Sequence, residues 1–165
     1  MHEFVEITEV QFDDQIVSYG RILDWFWEHH NPTDQHKKQY QSAILYVDDT
    51  QKRIAEESLK NVQEKYGQRK VETYVKKLEY FYQAEDYHQK YWLRCQRTLF
   101  TKVNLNLSDQ EIVDSTLATK VNAFLAGLDN FDVLKNLAAA YHLSDDTTKI
   151  IEEIARSGGV PEACH

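Results

Sequence analysis

The sequence contains few of the residues that break regular structure or that crosslink small domains. Its 165 residues include five glycines, two prolines and two cysteines. So little glycine and proline argues against a loop-rich or low-complexity chain. Cys95 and Cys164 lie far apart and form no Cys-x-x-Cys pair. We therefore expect no disulfide framework, and a reducing, cytoplasmic compartment.

Long apolar runs and an excess of positive charge are absent too. No apolar stretch approaches the length of a membrane span, and the first ten residues lack the basic and apolar regions of a signal peptide. The 27 acidic and 19 basic side chains give a formal net charge of −8. This balance disfavours nucleic acids and anionic membranes as partners.

Motifs for metal binding and for nucleophilic catalysis are missing as well. The histidines show no His-x-His, His-x-x-x-His or His-Glu-x-x-His spacing. The chain has neither a Gly-x-Ser-x-Gly motif nor a glycine-rich phosphate loop. The sequence therefore predicts no metal site and no cofactor.

Strand and helix patterns alternate in the first part of the chain, residues 1–98. Enrichment in β-branched and aromatic residues predicts strands at 4–12, 40–47 and 71–78. Apolar residues at helical spacing predict helices between them, with a further helix at about 84–94. The alternation predicts an α/β fold, an α+β two-layer sandwich of about three strands with one parallel crossover pairing.

Signals for helix ends support these boundaries. The first helix is expected to run from Ser18 to His30, because Asn31 precedes a proline and so disfavours the α conformation. The second helix follows the predicted strand 40–47, and Gly67 is its expected C-terminal stop.

The pattern changes after Cys95, and residues 99–165 show only helical periodicity. Ser108 and Glu111 have the spacing of a capping box, and Ser144 is a plausible N-cap for the last helix. The sequence thus predicts a first domain at 1–98 and an all-helical C-terminal extension at 99–165.

Three polar side chains within these elements are candidates for chemistry. Glu6 is the carboxylate on a mostly apolar face of the predicted strand 4–12, where burial would favour a protonated general acid. The alternative is an edge strand from which Glu6 simply reaches water. Tyr40 and Tyr91 are either hydroxyl donors to a ligand oxygen or half-buried core rings with solvated tips.

Residues 81–91, FYQAEDYHQKY, crowd aromatic rings, two acids and His88 into one short stretch. Such a composition is unusual for a surface helix and for a core. It is either a packed helix end with a polar fringe or one wall of a site. His88 by itself is expected to be a hydrogen-bonded helix residue.

Four blocks resemble the methionine sulfoxide reductase A family, which reduces methionine-(S)-sulfoxide to methionine. They follow the order of the family's E-V-x-V-x-F-D-P strand, its L-x-x-F-W-x-x-H-D-P-T helix end, its Q-Y-x-S-A-I strand and its A-E-D-Y-H-Q-x-Y signature. The matching segments are VEITEVQFDD, ILDWFWEHHNPT, QYQSAILYVDDTQKRIAEESL and FYQAEDYHQKY. On these motifs the resemblance covers about residues 4–94.

The resemblance implies roles for individual residues. The acid that protonates the sulfoxide oxygen falls on Glu6, and two hydroxyl donors to that oxygen fall on Tyr40 and Tyr91. The histidine of the last motif, a packing and orienting residue, falls on His88. The implied partners are proteins containing methionine sulfoxide or free methionine sulfoxide, with thioredoxin as reductant and without a cofactor.

The chain departs from the family pattern at the reactive thiol. The family's nucleophile lies in a Gly-Cys-Phe-Trp-Gly segment before the Glu6 block, and that segment is absent here, whereas Cys95 follows the last matched block. The aspartate that usually precedes Gln-Tyr is also missing, with Lys37 and Lys38 on that approach. Cys164, in a tail unlike the family's, is a weak candidate for a resolving thiol.

Three hypotheses follow from this combination. The first is a truncated or inactive member of the family, which keeps the acid and hydroxyl half of the site and lacks the nucleophile. The alternative is a non-catalytic binding or interaction protein derived from the fold, with the helical region as interaction module. In the third, Cys95 or Cys164 replaces the nucleophile.

Overall fold

The computed structural model describes residues 5–103 and 106–160. The chain divides into two compact units, between Phe81 and Tyr82. We call residues 1–81 the N-terminal unit and residues 82–165 the C-terminal unit, and each is described by itself.

The N-terminal unit is built on a parallel pair of strands. Strand β1 (Ala43–Tyr46) pairs with β2 (Tyr74–Lys77), and Ala43 lies opposite Tyr74. Helix α2 (Asp49–Tyr66) makes the crossover between the strands, and helix α1 (Tyr19–Glu28) packs against α2. The predicted parallel crossover pairing is thus confirmed.

Local capping explains where α1 begins and where α2 ends. The Ser18 side chain accepts a hydrogen bond from the Arg21 N–H and so caps α1, as its position predicts. Helix α2 ends at Gly67, whose φ of 61° suits glycine. The small core that these elements enclose centres on Leu23, Ile44 and Ala55.

The predicted strand at 4–12 is wrong for the residues that the structure describes. Residues 5–12 form no strand, and Val10 and Phe12 are 59% and 36% exposed. The Glu6 N–H donates to the Gln39 carbonyl at 3.2 Å, which is a single bond rather than a ladder. β-propensity describes a fit to a pleated, half-buried surface, and no such surface lies against this segment in the described part of the chain. Phe4 lies outside the described residues.

The described residues of the C-terminal unit form helices and turns but no strand. A 3₁₀ turn at Asp86–His88 precedes six short helices. They are α3 (Tyr91–Cys95), α4 (Arg97–Val103), α5 (Asp109–Asp114), α6 (Thr116–Leu125), α7 (Phe131–Ala140) and α8 (Asp145–Arg156).

Two capping predictions in this unit are confirmed and one helix prediction is wrong. Ser108 and Glu111 form the capping box at the start of α5, and Ser144 caps α8. The single helix expected at 84–94 is instead a 3₁₀ turn followed by α3. Lys90 separates the two, because its φ of 53° is left-handed and cannot continue a right-handed helix.

A second apolar core fills the C-terminal unit. Its helices turn their apolar faces to one another, and side chains from α3, α6, α7 and α8 are fully buried there. The largest of these are Leu93, Phe124, Leu125, Leu134 and Ile151. Across both units, the described residues include no helix long and apolar enough to cross a membrane.

A candidate site around Tyr40

A cleft in the N-terminal unit lies beside one of the predicted site residues. It has a volume of about 410 Å³ and opens between the C-terminal end of α1 and the loop that leads to β1. We call it the Tyr40 cleft. Its lining residues are Trp25, Phe26, His29, His30, Asn31, Asp34, His36, Tyr40 and Ser42.

Two histidines at the end of α1 are anchored to its last carbonyl groups. The Nδ1 atom of His29 lies 2.7 Å from the Trp25 oxygen, and Nδ1 of His30 lies 2.7 Å from the Phe26 oxygen. A carbonyl oxygen can only accept, so both imidazoles donate from Nδ1, and the Phe26 carbonyl also accepts from the His29 backbone N–H at 3.4 Å. In the neutral imidazole the bond fixes the proton on Nδ1 and leaves Nε2 as an acceptor.

The buried hydroxyl of Thr73 connects two residues that line the cleft, Ser42 and His30. Thr73, just before β2, is 4% exposed, and its Oγ1 lies 2.6 Å from Ser42 Oγ, just before β1. The same atom lies 3.4 Å from His30 Nε2. With Nε2 as acceptor, the hydroxyls donate in one direction, from Ser42 to Thr73 and from Thr73 to His30. These hydrogen bonds tie α1 to the starts of both strands.

Tyr40 ends a 3₁₀ turn, Lys38–Tyr40, and lines the cleft. Its ring is 58% exposed, and its hydroxyl has no hydrogen-bond partner among the described residues. The hydroxyl can therefore donate to a ligand oxygen. Tyr40 is thus not a half-buried core ring, and its role as a hydroxyl donor to a ligand stays a prediction.

Glu6 reaches the same turn from the N-terminal segment. Its N–H donates to the Gln39 carbonyl at 3.2 Å, and the Gln39 side-chain amide donates to Glu6 Oε1 at 2.9 Å. The structure therefore brings Glu6 to the residue next to Tyr40. Glu6 is exposed, so the apolar surroundings expected to desolvate it are not found around it in the described residues.

Tyr91 and His88 lie in the C-terminal unit. Tyr91 begins α3 and is half-buried, with its ring 5.3 Å from that of Trp92. Asn122 of α6 holds this helix start by accepting from the Leu93 N–H at 3.0 Å. His88 is exposed, with Nε2 3.8 Å from a Glu85 carboxylate oxygen and its ring 4.3 Å from that of Tyr87; its orienting role stays a prediction.

Burial also acts on the residue next to Tyr91. Lys90 is half-buried, and desolvation lowers the pKa of its ammonium group, while Asp114 partly opposes the shift. Lys90 also precedes α3 with a left-handed backbone, which is a strained conformation for a residue other than glycine.

Only one of the two candidate thiols lies within the described residues. Cys95 is half-buried in α3, and Cys164 lies outside the described residues. Over residues 5–103 and 106–160, no group of three or more histidine, cysteine or carboxylate side chains could hold a metal ion.

Sequence reasoning missed most of the cleft. Trp25 and His29 occupy positions that the L-x-x-F-W-x-x-H-D-P-T pattern leaves open, and His36 lies in a loop that the pattern does not cover. Asp34 and Asn31 hold this loop, since the Asn31 amide donates to Asp34 Oδ1 at 2.6 Å. The run of aromatic and histidine residues at the end of α1 was the available signal.

The peptide methionine sulfoxide reductase family model matches residues 1–121 of the chain. The match extends beyond residue 94, where the family motifs end, and reaches into the helical region. That region carries only an apolar periodicity and no short motif, so motifs alone do not reveal its membership of the match.

Curated relatives carry the same family name. A peptide methionine sulfoxide reductase of Drosophila melanogaster is 37% identical over 137 residues, 82% of this chain and 55% of the relative. Peptide methionine sulfoxide reductase MsrA of Saccharolobus solfataricus is 41% identical over 93 residues, 53% of this chain and 52% of the relative. The MsrA of Methanococcus maripaludis strain C7 is 38% identical over 96 residues, 54% of this chain and 60% of the relative.

The chain spans about half the length of these relatives, between 52% and 60%. The Drosophila match covers so much of the chain that it includes part of the helical region wherever it begins. The matches do not favour the alternative of a non-catalytic binding protein. With a family model over residues 1–121 and these relatives, the chain belongs to the peptide methionine sulfoxide reductase family.

Proposed function

We propose that this chain holds the oxygen-binding half of a methionine-(S)-sulfoxide reductase site. Glu6 acts as the acid toward the sulfoxide oxygen, and Tyr40 and Tyr91 donate hydroxyl hydrogen bonds to it. One observation carries most weight: two hydrogen bonds hold Glu6 to Gln39, directly beside Tyr40 with its available hydroxyl. Two residues that are far apart in the sequence thereby meet at one turn.

The chemistry needs both halves of a site. A thiolate attacks the sulfoxide sulfur while the oxygen takes up a proton, and positioned acids and hydroxyl donors lower the barrier to this step. Overall, one sulfoxide and two thiols give one sulfide, one disulfide and water. No cysteine precedes Glu6 among these 165 residues, so they do not carry the nucleophile at the family's position.

The expected substrates are proteins that contain oxidised methionine, or free methionine sulfoxide. Thioredoxin as the dithiol reductant and a reducing, cytoplasmic compartment belong to the same proposal. His88 remains a candidate orienting residue, and Cys164 a weak candidate for a resolving thiol. These assignments rest on the resemblance to the family.

We also propose that the chain has two domains, a partial reductase-like domain at 1–98 and a helical extension at 99–165. The location of both described strands in the first part supports it. The boundary between compact units lies earlier, after Phe81, because Leu93 of α3 packs into the helical core.

A fusion protein tests whether this chain supplies the oxygen-binding half of the site while an added N-terminal segment supplies the thiol. A family member's N-terminal segment with Gly-Cys-Phe-Trp-Gly is joined ahead of Met1, and reduction of a dabsyl-methionine-(S)-sulfoxide by dithiothreitol is followed by chromatography. The fusion should turn over, whereas the 165-residue chain alone and a fusion with serine in place of the motif cysteine should not.

Variants of the fusion then test the individual roles. Glu6→Gln should lower kcat/KM by about 10²- to 10³-fold, and Tyr40→Phe and Tyr91→Phe each by about tenfold or more. Exposed Tyr80→Phe serves as the matched control and should have no effect. Full activity of the Glu6→Gln fusion, or turnover by the chain alone, would contradict the proposal.

A further inference from the structure

We propose that the Tyr40 cleft is a peptide subsite that seats the residue next to the oxidised methionine and prefers an aromatic or large aliphatic side chain. The inference rests on the proposed function, because Tyr40 belongs both to the proposed oxygen site and to the cleft wall. A protein substrate whose sulfoxide oxygen meets the Tyr40 hydroxyl must continue past this ring. The cleft is the adjoining space in the N-terminal unit.

Trp25 and His29 form an aromatic platform on one side of the cleft. Their rings stack with centroids 4.1 Å apart and an angle of 24° between the planes. The Trp25 side chain is 60% exposed, so a large ring face stays available to a ligand. Because aromatic and aliphatic side chains gain both from covering such a face and from stacking on it, the platform favours an apolar occupant.

The imidazole of His29 adds a hydrogen-bond acceptor at the edge of the platform. Its Nδ1–H donates to the Trp25 carbonyl at 2.7 Å, so Nε2 of the neutral ring is an acceptor. Among the described residues Nε2 has no partner. The N–H groups of a peptide backbone are the matching donors, which makes a peptide a better occupant than a hydrocarbon.

The charge in the cleft disfavours an acidic side chain. Asp34 contributes a carboxylate to its lining, and Asn31 already donates to one of the Asp34 oxygens at 2.6 Å. No lysine or arginine is among the described residues that line the cleft. A volume of about 410 Å³ lies at the small end of ligand sites, which suits one side chain with its backbone.

The subsite is a property of this chain rather than of the family pattern. Trp25 and His29 stand where the pattern accepts any residue, and His36 belongs to the loop of 31–38 that precedes Gln-Tyr. Substrate preference set by these residues would therefore differ among family members.

Binding of two oxidised peptides to the 165-residue chain tests the inference. The probes are acetyl-Phe-Met(O)-Phe-amide and acetyl-Gly-Met(O)-Gly-amide, both as the (S)-sulfoxide, and the same peptides with unoxidised methionine. Kd is measured by NMR titration of the ¹⁵N-labelled protein. We expect the phenylalanine peptide to bind about five- to tenfold more tightly than the glycine peptide, with the Trp25 indole signal shifting most.

Variants assign this preference to the cleft. Trp25→Ala should reduce the ratio of the two Kd values to below about twofold, whereas Trp25→Phe should keep most of it. Both substitutions lie on an exposed side chain, so folding is preserved and is checked by circular dichroism. Tyr80→Ala removes a 76% exposed ring outside the cleft lining and should leave the ratio unchanged.

The outcomes distinguish failure of the subsite from failure of the proposed oxygen site. Equal binding of the two oxidised peptides, or an unchanged ratio in Trp25→Ala, would overturn the subsite while discrimination between oxidised and unoxidised methionine still supports the oxygen site. A phenylalanine preference without such discrimination would overturn the inference, because no sulfoxide site would then adjoin the cleft. Failure of all peptides to bind would overturn both.

Discussion

Replacing Thr73 with valine removes a hydroxyl that ties α1 to both strands of the N-terminal unit. Valine has nearly the same shape, so packing around this 4% exposed position is retained. The hydrogen bond to Ser42 at 2.6 Å is lost, and so is the longer contact with His30 Nε2 at 3.4 Å. The loss of stability therefore comes from the missing hydrogen bonds and from the polar groups of Ser42 and His30 that lose their partner.

The loss of stability depends on how far water can replace the hydrogen bonds that Thr73 makes. A buried hydrogen bond contributes about 0.5–1.5 kcal/mol net, and an unsatisfied buried partner costs about 1–3 kcal/mol. Ser42 and His30 line an open cleft, so water can replace part of what Thr73 supplies. We expect Thr73→Val to lower the free energy of unfolding of the N-terminal unit by about 1–2 kcal/mol.

Urea unfolding followed by the NMR amide signals of Leu23, Ile44 and Ala55 reports on this unit alone, since these residues form its core. With an m value of about 1 kcal/mol/M, the midpoint should fall by about 1–2 M. Thr73→Ser keeps the hydroxyl and should cost about 1 kcal/mol or less, and exposed Thr8→Val is the control. An unchanged midpoint for Thr73→Val, or an equal loss for Thr73→Ser, would refute the role of the hydroxyl.

Three further predictions concern the C-terminal unit. Leu93→Ala removes a fully buried side chain and should lower its unfolding free energy by about 2–5 kcal/mol in urea melts, with an unchanged melt contradicting the assigned core. Ser108→Ala removes the cap of α5 and should cost about 1 kcal/mol; it should also raise the lowered pKa of Glu111 toward its ordinary value in a ¹³C carboxyl titration. Lys102 holds the pKa of Asp146 below its usual 3.8, so their contact stabilises the fold above that pH and stops doing so as the pH falls through the folded-state value. Lys102→Met should return the Asp146 titration toward 3.8, and an unmoved titration would contradict the pairing.

Helix ends and the parallel pairing could be predicted because their causes are local in the sequence. Ser18, Gly67 and Ser108 act on the residues next to them, and they start or end helices where expected. The strand–helix–strand spacing likewise leaves little choice but a parallel crossover, and the parallel register that places Ala43 opposite Tyr74 confirms it.

The failed predictions depend on what the surrounding chain supplies. Residues 5–12 have strand propensity, but within the described residues their backbone meets a single partner at Gln39 and their side chains stay largely exposed. The expected helix at 84–94 is interrupted by the left-handed backbone of Lys90, which residue type alone does not reveal.

The contacts within the candidate site could not be predicted from the sequence either. Glu6, Tyr40 and Tyr91 were identified through family motifs, and the meeting of Glu6 with the Tyr40 turn required the structure. The platform of Trp25 and His29 arises from stacking one helical turn apart and from the end of α1, where carbonyls need partners. Motif patterns record neither of these contacts.

The central claim is that the chain itself recognises the sulfoxide oxygen, and a binding comparison tests it most directly. Kd is measured by NMR titration for N-acetyl-methionine-(S)-sulfoxide methylamide and for the unoxidised amide, with the chain and with Tyr40→Phe. We predict that the sulfoxide binds at least about fivefold more tightly than the sulfide, and that Tyr40→Phe removes most of this difference. Equal affinity for the two ligands, or a difference that survives Tyr40→Phe unchanged, would contradict the claim.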